Sequence, residues 1–84
     1  EPLHPNNLFL TQLIISTVKQ ELPETKIYIW TGYTIEELRK SSSKALQYIL
    51  STADVLIDGP YIEAERDITL PMRGSRNQRI IPLK

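Results

Sequence analysis

The sequence predicts an α/β fold in which parallel strands alternate with helices. Three observations carry that reading. Apolar residues recur at spacings of three and four over residues 7–22, the pattern of an amphipathic helix. Two short apolar runs, Ile27-Tyr28-Ile29-Trp30 and Val55-Leu56-Ile57, are bounded by turn residues, as buried parallel strands are. A second helical stretch lies between them, and strand–helix–strand order implies a parallel unit with a right-handed crossover.

The elements follow in order. Glu1-Pro2-Leu3-His4-Pro5 holds two prolines and no initiator Met. It reads as the loop after a strand, an expectation that the chain belongs to a longer parent. Asn6 or Asn7 can cap the first helix. Leu10, Leu13, Ile14, Thr17, Val18 and Leu22 form its inner face, widened by Leu8, Phe9 and Ile15, and Pro23 stops it. Residues 26–30 read as a strand that ends at Thr31-Gly32. Thr34 caps a second helix and Glu37 completes a capping box, with Ile35, Leu38 and Arg39 on the inner side. Ser41-Ser42-Ser43 interrupts it, and residues 44–52 resume as helix carrying Leu46, Ile49 and Leu50. Residues 53–58 read as the second strand, with Gly59-Pro60 as its exit. Residues 61–67 read as a short helix or an irregular lid. Arg79-Ile80-Ile81-Pro82-Leu83 reads as a last strand, at an edge or very short because Pro82 has no amide donor.

Composition excludes several functions. The chain has 84 residues, ten basic and ten acidic, so it carries no bulk attraction for nucleic acid or an anionic membrane. It has no cysteine, hence no disulfide, no thiolate nucleophile and no cysteine-ligated zinc or iron–sulfur cluster. A single histidine, His4, builds no multi-histidine metal site. Glu63, Glu65 and Asp67, with Arg66 among them, read as a solvated charge run. No apolar run approaches the roughly 20 residues a bilayer needs, and no signal peptide is visible. A cysteine-free chain without an export signal reads as cytoplasmic.

In parallel sheets, ligands sit beyond the carboxyl ends of the strands. Those ends carry Trp30-Thr31-Gly32-Tyr33 and Asp58-Gly59-Pro60, and Glu1-Pro2 falls on the same face if it follows a strand. A carboxylate there can accept from a ligand ammonium, and Thr31 and Gly32 let a ligand approach the backbone closely. The plainer alternative is that both segments only turn the chain. Trp30 reads more readily as core packing than as a stacking platform. A second candidate is Met72-Arg73-Gly74-Ser75-Arg76-Asn77-Gln78-Arg79. Every acidic residue lies at or before Asp67, while Arg73, Arg76, Arg79 and Lys84 give the remainder a charge of +4. Arg73, Arg76, Asn77 and Arg79 can form a loop that binds an anion or a partner. The alternative is that these arginines pair with Glu63, Glu65 and Asp67, or are simply solvated. Aromatic interleaving is absent, which weighs against nucleic acid.

Taken together, four segments resemble one family. Glu1-Pro2-Leu3-His4-Pro5 looks like the tail of a Gly-Gly-Glu-Pro loop. Ile29-Trp30-Thr31-Gly32-Tyr33-Thr34-Ile35-Glu36-Glu37-Leu38, Asp54-Val55-Leu56-Ile57-Asp58-Gly59-Pro60-Tyr61 and Arg73-Gly74-Ser75-Arg76-Asn77-Gln78-Arg79 follow in the expected order. This is similar to the C-terminal half of the activating proteins of anaerobic ribonucleoside-triphosphate reductase, which are radical S-adenosylmethionine enzymes. The resemblance implies part of a parallel (β/α) barrel. It implies reductive cleavage of S-adenosylmethionine at a [4Fe–4S] cluster, giving a radical that takes a hydrogen from a glycine of the partner reductase. It also implies an electron donor such as flavodoxin. Glu1 would contact the amino group of S-adenosylmethionine. Trp30, Thr31 and Gly32 would line its pocket, and Asp58 would stand near it. Arg73, Arg76, Asn77 and Arg79 would serve partner docking, a role suggested by their charge.

The departure from the family concerns the chemistry. The family's three-cysteine cluster motif lies near its N-terminus, and this chain has no cysteine. The resemblance therefore implies an enzyme as parent and an inactive 84-residue stretch, with an exposed sheet edge prone to self-association. The competing reading is a small stand-alone α/β module that binds an anion or a protein through the Arg73–Arg79 loop. A third is an interaction piece of another barrel enzyme. A C-x₃-C-x₂-C run encoded upstream would favour the first reading, and an initiator Met directly before Glu1 would remove it.

Overall fold

The computed structural model describes all 84 residues. Pro5–Asn7 forms a 3₁₀ turn, capped by His4, whose Nδ1 accepts from the Asn6 amide at 3.0 Å. Pro5 opens this helical segment, because the first position of a helix needs no amide donor. Helix α1 (Leu8–Glu21) follows without a side-chain cap from Asn7. The Asn7 side chain donates instead to the Glu1 carbonyl at 2.8 Å.

Strand β1 (Tyr28–Trp30) leads into the short helix α2 (Ile35–Arg39). The predicted capping box is present: the Thr34 hydroxyl accepts from the Glu37 amide at 3.2 Å, and the Glu37 carboxylate accepts from the Thr34 amide at 3.0 Å. Ile35 and Leu38 are buried, while Arg39 is exposed. Ser43 caps α3 (Lys44–Thr52) by accepting from the Leu46 amide. Strand β2 (Val55–Asp58) lies parallel to β1, with Tyr28 opposite Val55 and Trp30 opposite Ile57.

Strand β3 (Arg79–Pro82) takes the far edge, as Pro82 requires, but it runs antiparallel to β2. The expectation of an all-parallel sheet is corrected here. No helix intervenes between β2 and β3. The linking segment is loop, one 3₁₀ turn at Glu63–Glu65 and an isolated bridge between Arg66 and Ser75, so the chain returns without a helical crossover. The result is a mixed α/β fold with a sheet of three strands in the order β1-β2-β3.

The core unites Leu3, Ile15, Ile29, Ile35, Leu38, Leu46, Ile49, Ala53 and Leu56. It sits between one face of the sheet and the helices. The inner face assigned to α1 is corrected. Leu10, Leu13, Ile14 and Leu22 are more than half exposed, and Ile15 is the buried residue, with Leu8 packed beside it. Helix α1 is apolar on two sides, and one of them enters the core where α1 packs against α3. Spacing alone does not choose between two apolar stripes. Tyr28 and Trp30 project to the opposite side of β1 from Ile29 and stack with ring centroids 6.5 Å apart. Trp30 is half exposed and is not a core residue. No helix is long and apolar enough to cross a membrane.

Candidate functional site

The two parallel strands end side by side, and their carboxyl ends bring together most of the predicted site. Beyond β1 the Thr31 amide still donates to the Ile57 carbonyl at 2.9 Å, so Thr31 is held as a strand residue and buried. Its hydroxyl donates to Glu1 Oε1 at 3.0 Å and accepts from the Tyr33 amide at 3.2 Å. The Gly32 amide donates to the same Glu1 oxygen at 2.6 Å. Glu1 Oε2 accepts from the Leu3 amide at 2.7 Å. Glu1, Thr31 and Gly32, separated by about thirty positions, therefore form one cluster. The close approach at Gly32 is one of hydrogen bonding: a methyl group there would stand 3.5 Å from Glu1 Oε1, an ordinary contact.

Trp30 borders this cluster but turns elsewhere. Its indole nitrogen donates to the Met72 carbonyl at 2.7 Å, which ties the 71–74 loop to β1. Met72 adopts a positive φ of 63° at that point.

Asp58 ends β2 and is fully buried. Oδ2 accepts from the Ile35 amide at 2.8 Å and from Arg79 Nη2, and Oδ1 accepts from Arg79 Nε at 3.0 Å. Burial pushes the Asp58 carboxyl up, but Arg79 and the Ile35 amide outweigh it and hold the carboxyl below the usual aspartate value. The two carboxylates in turn raise the Arg79 pKa, Asp58 more than Glu36. Arg79 also grips Glu36 through both of its oxygens, at 2.6 and 3.2 Å. That contact lowers the Glu36 pKa. Next to Asp58, Gly59 has a φ of 96°, where a Cβ would be strained. Its amide donates to the Tyr33 carbonyl at 2.8 Å.

The arginine-containing segment is largely turned inward. Asn77 Nδ2 donates to the Pro60 carbonyl at 2.7 Å. Gln78 accepts from the Gly74 and Ser75 amides and donates to the Gly59 carbonyl at 3.0 Å. Buried Ser75 donates to Asn77 Oδ1 and accepts from the Ile62 amide. Arg73 donates to the Gln78 carbonyl at 3.3 Å. Of the four residues predicted to bind an anion or partner, Arg73, Asn77 and Arg79 have side-chain partners within the chain, and Arg76 is exposed. The alternative pairing of these arginines with Glu63, Glu65 and Asp67 is corrected: the ion pairs run from Arg79 to Asp58 and Glu36.

Sequence reasoning missed Glu36, Ser75 and Gln78. Ser75 and Gln78 carry side chains suited to binding backbone groups, beside a glycine, and that was the available signal. Glu36 gave none, since its partner lies 43 positions away. His4 serves as the cap described above. A [4Fe–4S] cluster does not fit the residues present: there is no cysteine, and no group of three His, Cys, Asp or Glu side chains converges on a metal-sized site.

Comparison with known proteins supplies the frame for this geometry. The model of the 4Fe-4S single cluster domain family matches residues 1–81. A protein of Vibrio cholerae serotype O1 named anaerobic ribonucleoside-triphosphate reductase-activating protein is 44% identical over 80 residues, covering 95% of this chain and 49% of its own length. The protein of the same name from Escherichia coli K12 is 32% identical over 84 residues, all of this chain and 52% of that protein. The one from Enterobacteria phage T4 is 38% identical over 80 residues, 95% of this chain and 47% of its own length. The chain thus spans about half the length of the curated relatives it matches. No solved structure matches it. With the strand-end cluster in place and the family match running through nearly every element that builds it, this chain belongs to the 4Fe-4S single cluster domain family, and its relatives there are anaerobic ribonucleoside-triphosphate reductase-activating proteins.

Proposed function

We propose that this chain supplies the S-adenosylmethionine half-site of an activating protein for anaerobic ribonucleoside-triphosphate reductase. The observation that carries the reading is the convergence of Glu1 on the Thr31 hydroxyl and the Gly32 amide at the end of β1. Glu1 Oε2 accepts only one hydrogen bond, from Leu3, and keeps acceptor capacity for a ligand ammonium. Thr31 and Gly32 orient that carboxylate, and Trp30 precedes them at the end of β1. Bound S-adenosylmethionine, cleaved reductively at a [4Fe–4S] cluster, would supply the radical that generates a glycyl radical on the reductase. The cluster ligands must come from residues other than these 84, and the stretch alone is expected to be inactive.

In this reading the fold is the C-terminal portion of a radical S-adenosylmethionine partial barrel. An electron donor such as flavodoxin serves the whole protein, which works in the cytoplasm. Exposed Arg76 is the candidate contact to the reductase. β1 lies at a sheet edge, and self-association through it is expected for the isolated chain. Light scattering that finds a monomer at every concentration argues against that.

Calorimetric titration of S-adenosylmethionine tests the half-site. We expect binding that Thr31→Val and Glu1→Gln each weaken about tenfold, the worth of one charge-assisted hydrogen bond. Binding that neither substitution changes removes the assignment.

A further inference from the structure

We propose that Asp58 is a positioning residue for the Glu1–Thr31–Gly32 site, held by Arg79 and acting on the loop between β1 and α2 and not on the ligand. The inference rests on the proposed site and deepens it by separating the two strand-end carboxylates.

Burial closes Asp58 to a ligand. Its oxygens take the Arg79 guanidinium at two points and the Ile35 amide at 2.8 Å, and the side chain has no exposed surface. A ligand ammonium could reach it only by displacing a guanidinium or uncovering the first amide of α2. Each loss leaves a buried polar group unpaired. The register of the sheet places Arg79 there. In the antiparallel pairing, Asp58 stands directly opposite Arg79. The resemblance puts Asp58 near the cofactor, and the proposal assigns it to the loop beside the cofactor.

Residues 31–34 carry the consequence. The far end of this loop is held twice, by Ile35 on Asp58 and by Glu36 on Arg79 at 2.6 Å. Its middle is held by the Tyr33 carbonyl on Gly59 at 2.8 Å, and its near end by Thr31 on Ile57 at 2.9 Å. The Thr31 hydroxyl and the Gly32 amide are the groups of this loop that reach Glu1. Asp58 and Arg79 therefore act on the ligand site through the loop that aims those two donors.

The test uses the full-length protein and two titrants, S-adenosylmethionine and an analogue lacking the α-amino group. Glu1→Gln should weaken S-adenosylmethionine about tenfold and leave the analogue unchanged. Asp58→Asn and Arg79→Lys should weaken both titrants by the same factor, about five- to tenfold, and the double variant should be no worse than either single one. Arg79→Lys keeps the charge and loses the fork, so it carries the comparison if Asp58→Asn does not fold. A loss at Asp58→Asn that vanishes with the analogue makes Asp58 a ligand contact and overturns the proposal. So does a lowered melting temperature with both affinities intact. If the unaltered protein binds neither titrant, the half-site reading fails on its own. The positioning role is then read from the Thr31 and Gly32 amide resonances, which must move in Asp58→Asn, and their constancy overturns it.

Discussion

Asp58 ends β2 and Glu1 is hydrogen-bonded to the end of the neighbouring β1, and the two carboxylates differ in their access to a ligand. Glu1 is exposed and accepts from a hydroxyl and two backbone amides, with capacity remaining on Oε2. Asp58 has no exposed surface, and guanidinium and amide donors occupy both of its oxygens. The sequence presents both as candidate partners for a ligand ammonium. Each accepts three hydrogen bonds, so the difference lies in access: a carboxylate at a strand end is a ligand group only if the fold leaves it exposed. A buried one serves the scaffold.

The widest separation between the two should appear in stability. Asp58→Ala removes the acceptor of the Ile35 amide and the main partner of Arg79, and should cost about 2–3 kcal/mol in urea unfolding. Glu1→Ala should cost under about 1 kcal/mol, because water replaces its partners. Equal costs would break the comparison.

Acid sharpens it. The folded Asp58 carboxyl lies below its unfolded value of about 3.9. Its contribution is therefore complete above that value and is lost as the pH falls through the lower folded one. Asp58→Asn should flatten the acid limb of stability below about pH 4. Asp54 remains as background, its carboxyl lowered first by the Ile27 amide. An acid limb unaltered by Asp58→Asn would show that the buried pair is not formed in solution.

Gly59 links the strand ends. Gly59→Ala forces a side chain onto a φ of 96° and should cost about 1–2 kcal/mol in thermal unfolding. A neutral result would mean that the β2 exit relaxes freely and does not pin Tyr33. A smaller effect than at Asp58 or Gly59 is expected at Thr34. Thr34→Ala removes half of the capping box and should cost about 1 kcal/mol, read by the same melt. A cost matching that of Asp58→Ala would make the cap, and not the ion pair, the main anchor of α2.

Much of the fold was legible because its signals are local. The capping box at Thr34 and Glu37, the serine break before α3 and the two parallel strands were all readable within a few residues. The inner face of α1 was not. Leu10, Leu13 and Ile14 make as good a helical stripe as Leu8 and Ile15, and the choice belongs to the tertiary packing that sets α1 against α3. Half of the site was legible in the same sense. Glu1, Thr31 and Gly32 were named and do meet. The Arg79 partner of Asp58 was not legible, because it stands 21 positions away in a strand whose direction no local pattern reveals.

The sequence by itself determined the alternation of helix and strand, the caps, the absence of cysteine ligands and the placing of Glu1, Thr31 and Asp58 near strand ends. Each of these follows from residue type and from neighbours within about one helical turn. The tertiary structure alone decided that β3 runs antiparallel, that α1 buries Ile15, and that Arg79 reaches both Asp58 and Glu36. The reason is physical. A charged group is neutralised by whichever opposite charge the chain brings within about 4 Å, and that depends on the path of the backbone.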